Sequence, residues 1–264
     1  MQRTFGNRAV TQMLSSRLAQ RHEAVTTNTE VGEPELSPQE ETAQPDPTKG
    51  TGTTGSTSSA PTGEARIKAI GDALRASASG MWALGIIDKW KVPVDYEYGG
   101  QGSFHQGGKI FLNKTLGIGG AALVMMHEAQ HANTFKSGKQ ADRTKLGREE
   151  FIKLMIADEA EAVVRQIEGM AITVGLGVDM AGAGVDDALK QRYLKAFYAK
   201  RDELKAANPD MTTADINDRC RTHTRDTEVT NWFHDGTFVT STDLNSYAVF
   251  YGLQWDAVNK PPAK

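Results

Sequence analysis

Ala121-Ala122-Leu123-Val124-Met125-Met126-His127-Glu128-Ala129-Gln130-His131 is the stretch whose reading decides the fold. An apolar run leads straight into two histidines four residues apart, with a glutamate directly after the first. On a helix, positions i and i+4 share a face, so both imidazoles can reach one metal ion. Glu128 stands beside the first ligand, where its carboxylate can reach water without ligating the metal. Zinc held by neutral imidazoles lowers the pKa of water at its open position to about 7. Glu128 would then accept the proton as that water attacks a carbonyl. The spacing therefore predicts zinc and amide hydrolysis, with His127 and His131 as ligands. Both histidines continue the Leu123–Val124 side of an apolar helix, whereas solvated histidines belong on a polar one. Gly117, Gly119 and Gly120 precede this helix, and Lys136-Ser137-Gly138 supplies a cation and a glycine stop.

Two histidines do not complete a catalytic zinc site, which usually has three protein ligands. Ile152, Met155, Ile156, Val163, Ile167 and Met170 recur at helical spacing across Arg148–Met170. Glu159 falls inside that apolar stripe, four after Met155 and four before Val163. A carboxylate there is costly unless paired with a cation or bound to a metal. Glu159 is the expected third ligand, the alternative being a buried glutamate paired with arginine or lysine. Glu161 lies on the opposite face and Asp158 to one side. Both stay open as alternatives, including as groups that fix a histidine tautomer.

His127-Glu128-Ala129-Gln130-His131 with a glutamate on a later helix resembles the gluzincins. Asp158-Glu159-Ala160-Glu161-Ala162 is similar to a segment of small metallopeptidases found as bacterial secreted toxins and effectors. This resemblance spans roughly residues 105–170 and implies zinc ligands at His127, His131 and Glu159, with Glu128 as general base. Asn133 stands where that family usually has an apolar residue. The metzincin extension is absent, because Thr134 and Ser137 occupy its glycine and third-histidine positions.

Val92–Tyr98 alternates apolar and polar residues and reads as a strand, with Pro93 favouring an edge or a strand start. Ser103–Gln106 and Lys109–Asn113 read as two short strands joined at Gly107-Gly108. The expectation is a short antiparallel sheet before the metal helix. Lys109–Asn113 would be the edge that pairs with extended substrate, or the hairpin is simply structural. His105 reads as a strand or surface histidine.

Composition limits the rest. Pro34, Pro38, Pro45, Pro47 and Pro61, with the Thr/Gly/Ser run at 48–59, make residues 24–61 a linker that cannot bury enough apolar area to offset chain entropy. About 200 residues remain, which suits one domain. A net charge of −3 points to neither nucleic acid nor an anionic membrane. The single cysteine, Cys220, excludes an intramolecular disulfide. No run is long enough for a transmembrane helix, and Met1–Arg21 lacks the apolar core of a Sec signal. Ala9, Val10, Met13, Leu14 and Leu18 form a short amphipathic pattern in the leader, residues 1–23. Arg3-Thr4-Phe5-Gly6-Asn7-Arg8-Ala9-Val10 resembles the leading segment of proteins associated with extracellular contractile injection systems. That resemblance implies synthesis in a bacterial cytoplasm, packaging into a particle through residues 1–23, and action in the cytosol of a target cell.

Downstream, Thr62–Trp90, Asp186–Ala207, Thr213–Thr224 and Asp243–Val258 read as helices, and Val178–Gly184 as a glycine-rich loop beside the site. Tyr247, His234 and His223 are candidates to stabilise an oxyanion, and spacing does not rank them. The expectation is an α+β, zincin-like domain over residues 62–264 whose C-terminal half is mainly helical. It would act as a zinc-dependent endopeptidase on a protein or peptide substrate, delivered as a toxin or effector. The rivals are a non-catalytic, metal-stabilised structural or plug protein of the particle, and a zinc amidase acting on cell-wall peptides.

Overall fold

The computed structural model describes residues 61–100, 102–175, 178–180, 182–239 and 245–260. The leader at 1–23 and linker residues 24–60 lie outside the described residues. The architecture is mixed α+β, mostly helical with one small sheet. The order is α1 (Gly63–Arg75), α2 (Ala78–Trp90), β1 (Val94–Tyr98), β2 (Phe104–Gln106), β3 (Lys109–Asn113), α3 (Ile118–Lys136) and α4 (Arg148–Gly175). Then come α5 (Asp187–Ala207), α6 (Thr213–Thr224), a π-helical turn (Arg225–Val229), α7 (Thr230–Trp232) and α8 (Tyr247–Asn259).

The helical pattern expected across Thr62–Trp90 is broken into α1 and α2. Ser77 is extended and its hydroxyl accepts from the Gly80 N–H, so it caps a new helix rather than continuing the old one. Asp186 caps α5, Thr212 caps α6 and Ser246 caps α8 in the same way.

The sheet corrects two expectations. Its order is β1-β3-β2, with β2–β3 antiparallel but β1–β3 parallel. β2 runs opposite to both β1 and β3, so the chain reverses once between β1 and β2 and again at Gly107-Gly108, and β1 and β3 run the same way. Both turn glycines have positive φ (59° and 82°), which a two-residue hairpin turn requires. Lys109–Asn113 is therefore the central strand. β1 and β2 are the edges, and any strand addition would fall to them.

Ile110 and Leu112 point from β3 onto α3 and are fully buried. Every residue of α3 from Gly119 to Ala129 is buried, because α1, α2, α4 and the sheet enclose it. A helix covered on all sides has apolar residues all round, as Ala121–Met126 does. α3 and α4 approach closely where Gly169 faces Met126, since a Cβ there would overlap the Met126 sulfur. No helix among the described residues is long and apolar enough to cross a membrane.

His105 lies half-buried in β2, its ring 5.4 Å from that of Phe135, and its Nε2 is buried with no hydrogen-bond partner. Burial, then repulsion from His131 and Lys136, outweighs the pull of Asp158 and takes the ring from 6.5 down to about 4. The unfolded chain thus holds more protons than the folded one between those values, so stability falls as pH drops through that window. His105→Phe should flatten this part of the stability curve. Urea midpoints at about pH 7, 5.5 and 4.5 measure it, and an equally steep fall in the variant would refute the assignment.

Candidate metal centre

α3 and α4 pack side by side, and their contact brings the three expected ligands together. His127 Nε2 and His131 Nε2 are 3.0 Å apart. Glu159 Oε2 lies 3.4 Å from the first and 3.6 Å from the second. A tetrahedral zinc ion with bonds of roughly 2.0–2.1 Å keeps its ligand atoms roughly 3.3–3.4 Å apart. The triangle has the size such an ion needs. Among the described residues these three form a group of side chains that could hold a metal ion.

The neighbours fix which nitrogens face inward. Gln166 Nε2 donates to the Ala183 carbonyl at 2.8 Å, which leaves Gln166 Oε1 against His127 Nδ1 at 3.0 Å. A carbonyl oxygen only accepts, so Nδ1 carries the proton in that bond. Asp158 Oδ2 meets His131 Nδ1 at 2.6 Å and imposes the same tautomer. In a neutral ring each Nε2 then presents a lone pair to the other, an arrangement that is repulsive unless a cation lies between them. Asp158 Oδ1 also accepts from Gln130 Nε2 at 2.9 Å and from the Thr134 hydroxyl at 2.6 Å, so this carboxylate is itself held.

Glu159 is 1% exposed. Its Oε1 accepts from the Tyr251 hydroxyl at 2.5 Å, and its Oε2, the atom in the triangle, accepts no hydrogen bond. Burial works to raise the Glu159 carboxyl, but His131 and His127 outweigh it and hold it well below the usual carboxylate range. Burial likewise disfavours a charged His131, yet Glu159 and Asp158 prevail and raise that ring well above its usual value. A proton is thus the natural competitor of a metal at this position.

Glu128 is also buried, at 2% exposed. Its Oε2 is buried with no hydrogen-bond partner. Burial raises its pKa, with His127 and His131 pulling the other way.

The remaining expected residues divide. Tyr247 reaches the site: it is buried, its hydroxyl has no hydrogen-bond partner, and burial with the nearby charges of Glu159 and Glu128 raises its pKa well above the usual value. His223 and His234 are exposed, on α6 and just after α7, and do not join the buried group. Glu161 turns away from it. Arg221 binds both Glu161 oxygens at 2.7 and 3.0 Å, Arg225 adds a bond at 3.1 Å, and Arg165 lies 3.1 Å away. The tautomer-fixing part falls instead to Asp158 and to Gln166, which the sequence reading missed. Gln166 is a polar residue in the same apolar stripe, seven after Glu159, and the criterion that selected Glu159 would have found it. Tyr251 is a further site residue that the sequence did not single out. Its place four after Tyr247 puts both phenols on one face of α8.

Glu161→Ala should leave three arginines facing an emptied partner position. The cost should sit at or below the low end of the roughly 3–5 kcal/mol for breaking a buried pair, because the group is partly exposed. Zinc affinity should not change. Chemical denaturation and a zinc titration measure the two effects, and a variant with normal stability but weakened zinc binding would reverse the assignment.

No family model matches the chain, and no curated protein or solved structure matches it either, so its chemistry is argued from the geometry of this buried group.

Proposed function

We propose that this chain is a zinc-dependent peptidase whose metal is held by His127, His131 and Glu159. The observation that carries this reading is the Nε2–Nε2–Oε2 triangle, with edges of 3.0, 3.4 and 3.6 Å, beside a separate buried glutamate that has an uncommitted oxygen. Zinc at that position would supply Lewis acidity, polarising a substrate carbonyl and making water acidic near neutral pH. Glu128 takes the proton from the attacking water and returns it to the leaving amine nitrogen. The Tyr247 hydroxyl, buried near Glu128 and Glu159, is the donor available to a developing oxyanion. Asp158 and Gln166 keep the two imidazoles in the ligating tautomer.

One observation favours a second reading, a metal-stabilised module without catalysis. The ligands are deeply buried, His131 being the most accessible at 14% side-chain exposure, and structural zinc sites are closed. Glu128 weighs against it, since a structural site has no use for a buried carboxylate that neither ligates nor pairs. Glu128→Gln should retain stoichiometric zinc and the fold while hydrolysis of a quenched peptide library falls about 10²–10⁴-fold. Chelation should abolish cleavage and leave the helical circular dichroism signal largely intact. Unfolding on chelation, with no peptide cut by the zinc-loaded wild type, would establish the structural module. Cleavage of cell-wall peptides alone would make the enzyme an amidase.

Delivery as a toxin or effector of a contractile injection particle belongs to the same proposal and is supported by the leader's resemblance. Deleting residues 2–23 should leave peptidase activity unchanged and remove the protein from purified particles. Equal loading of the truncated chain, measured by immunoblot of particles, would refute a packaging role.

A further inference from the structure

Gln166 is 2% exposed and lies deep in α4, yet its amide is used at both ends. Oε1 meets Nδ1 of His127, and Nε2 donates to the carbonyl of Ala183, in the chain segment that joins α4 to α5. That segment touches the metal helix a second time. The Gly120 N–H, in the first turn of α3, donates to the Asp179 carbonyl at 3.0 Å. The packing here is close: a Cβ at Gly119 would lie 2.8 Å from the Asp179 oxygen and 2.9 Å from Val178 Cγ2. The segment is therefore pinned at Asp179 against the start of the ligand helix and at Ala183 through a side chain that orients a ligand.

We infer that Gln166 is a positioning residue that couples metal binding to the order of the chain at Asp179 and at Ala183, an inference that rests on the metal-centre reading above. The amide is planar and its two bonds point in opposite senses. If the Ala183 carbonyl moves away, the amide loses the contact that fixes which end faces His127. A flipped amide presents N–H₂ to Nδ1, which then must accept, and the ring proton shifts to Nε2, the atom the metal needs. Metal on Nε2 demands a proton on Nδ1, which demands Oε1 facing it, which directs Nε2 of the amide to Ala183. Linkage makes the effect reciprocal: whatever orders the segment tightens metal binding, and metal orders the segment.

The test uses the full chain and zinc ions at about pH 8, with affinity measured against a competing chelator and order by hydrogen–deuterium exchange. Wild type should show slower exchange at Asp179 and at Ala183 when zinc is added. Gln166→Leu should weaken zinc binding about 10–100-fold and, at saturating zinc, lose the slowed exchange. Gln166→Glu keeps an acceptor for Nδ1–H and loses the donor to Ala183, so it should retain most of the affinity while the zinc-induced protection disappears. This second variant decides the matter if the leucine variant does not fold. A Gln166→Leu protein that binds zinc like wild type, or a Gln166→Glu protein that keeps the protection, overturns the coupling while leaving the metal centre standing. A wild type that binds no zinc, or binds it equally well with His127→Ala, overturns the metal centre itself and the coupling with it.

Discussion

Glu159 carries a carboxylate into the interior between α3 and α4, and what neutralises that charge governs the surrounding structure. α4 contains its own comparison. Two residues further along, Glu161 is clamped by Arg221 and Arg225, with Arg165 beside it. That is the ordinary solution for a carboxylate that is largely buried. Glu159, more deeply buried, has ion-pair contacts only to imidazoles, and so does Asp158. Glu159 and Asp158 raise the His131 ring well above its usual value, so a protonated ring can serve as the counter-ion here, whereas as a neutral ring it is a good metal ligand. The same helix thus meets arginine at Glu161 and imidazole at Asp158 and Glu159.

The ligands were legible because a helix converts sequence spacing into direction. A separation of four positions between His127 and His131 put both on one face, and the stripe through Met155, Glu159 and Val163 put the carboxylate on the buried face of α4. Neither inference required knowing how the helices cross. Tyr251 lay beyond such reasoning because its bond to Glu159 spans 92 residues and arises only when α8 packs on α4. Until then it is one aromatic among several. The sheet separates along the same line. The β2–β3 hairpin is local and its glycine pair announces it, whereas the parallel pairing of β1 with β3 depends on two reversals whose sum no single turn encodes. Ser77, the cap that splits the first helical stretch, was a local signal that the apolar periodicity overrode.

Polar residues in the C-terminal half of α3 have one common explanation. Gln130, His131 and Thr134 all converge on Asp158, so that carboxylate is bonded by three side chains from the facing helix. Asn133, which departs from the apolar residue of the resembling family, accepts from the Trp90 indole at 3.2 Å and ties α3 to α2. These residues hold α3 in rotation as well as in position. A helix free to turn about its axis by one residue's angle would carry both Nε2 atoms out of the triangle. A metal site built on helices needs this rotational lock as much as it needs ligands.

Where the structure leaves polar atoms unsatisfied separates the site from the rest of the core. Several buried donors and hydroxyls lack partners elsewhere, among them Arg66 Nε, Tyr193 Oη and Thr224 Oγ1. Each arginine concerned keeps other nitrogens, and a hydroxyl is neutral, so each orphan costs about 1–3 kcal/mol, less than a charged group would. Carboxylate oxygens are different, since burying an anionic atom without a donor is among the most expensive arrangements a fold can carry. Among the described residues only two carboxylate oxygens are buried without a hydrogen bond, Oε2 of Glu159 and Oε2 of Glu128. Oε2 of Glu159 faces the two imidazole nitrogens at 3.4 and 3.6 Å, and Glu128 is the residue next to His127. Their coincidence is what the proposed metal ligand at Glu159 and the proposed general base at Glu128 would require.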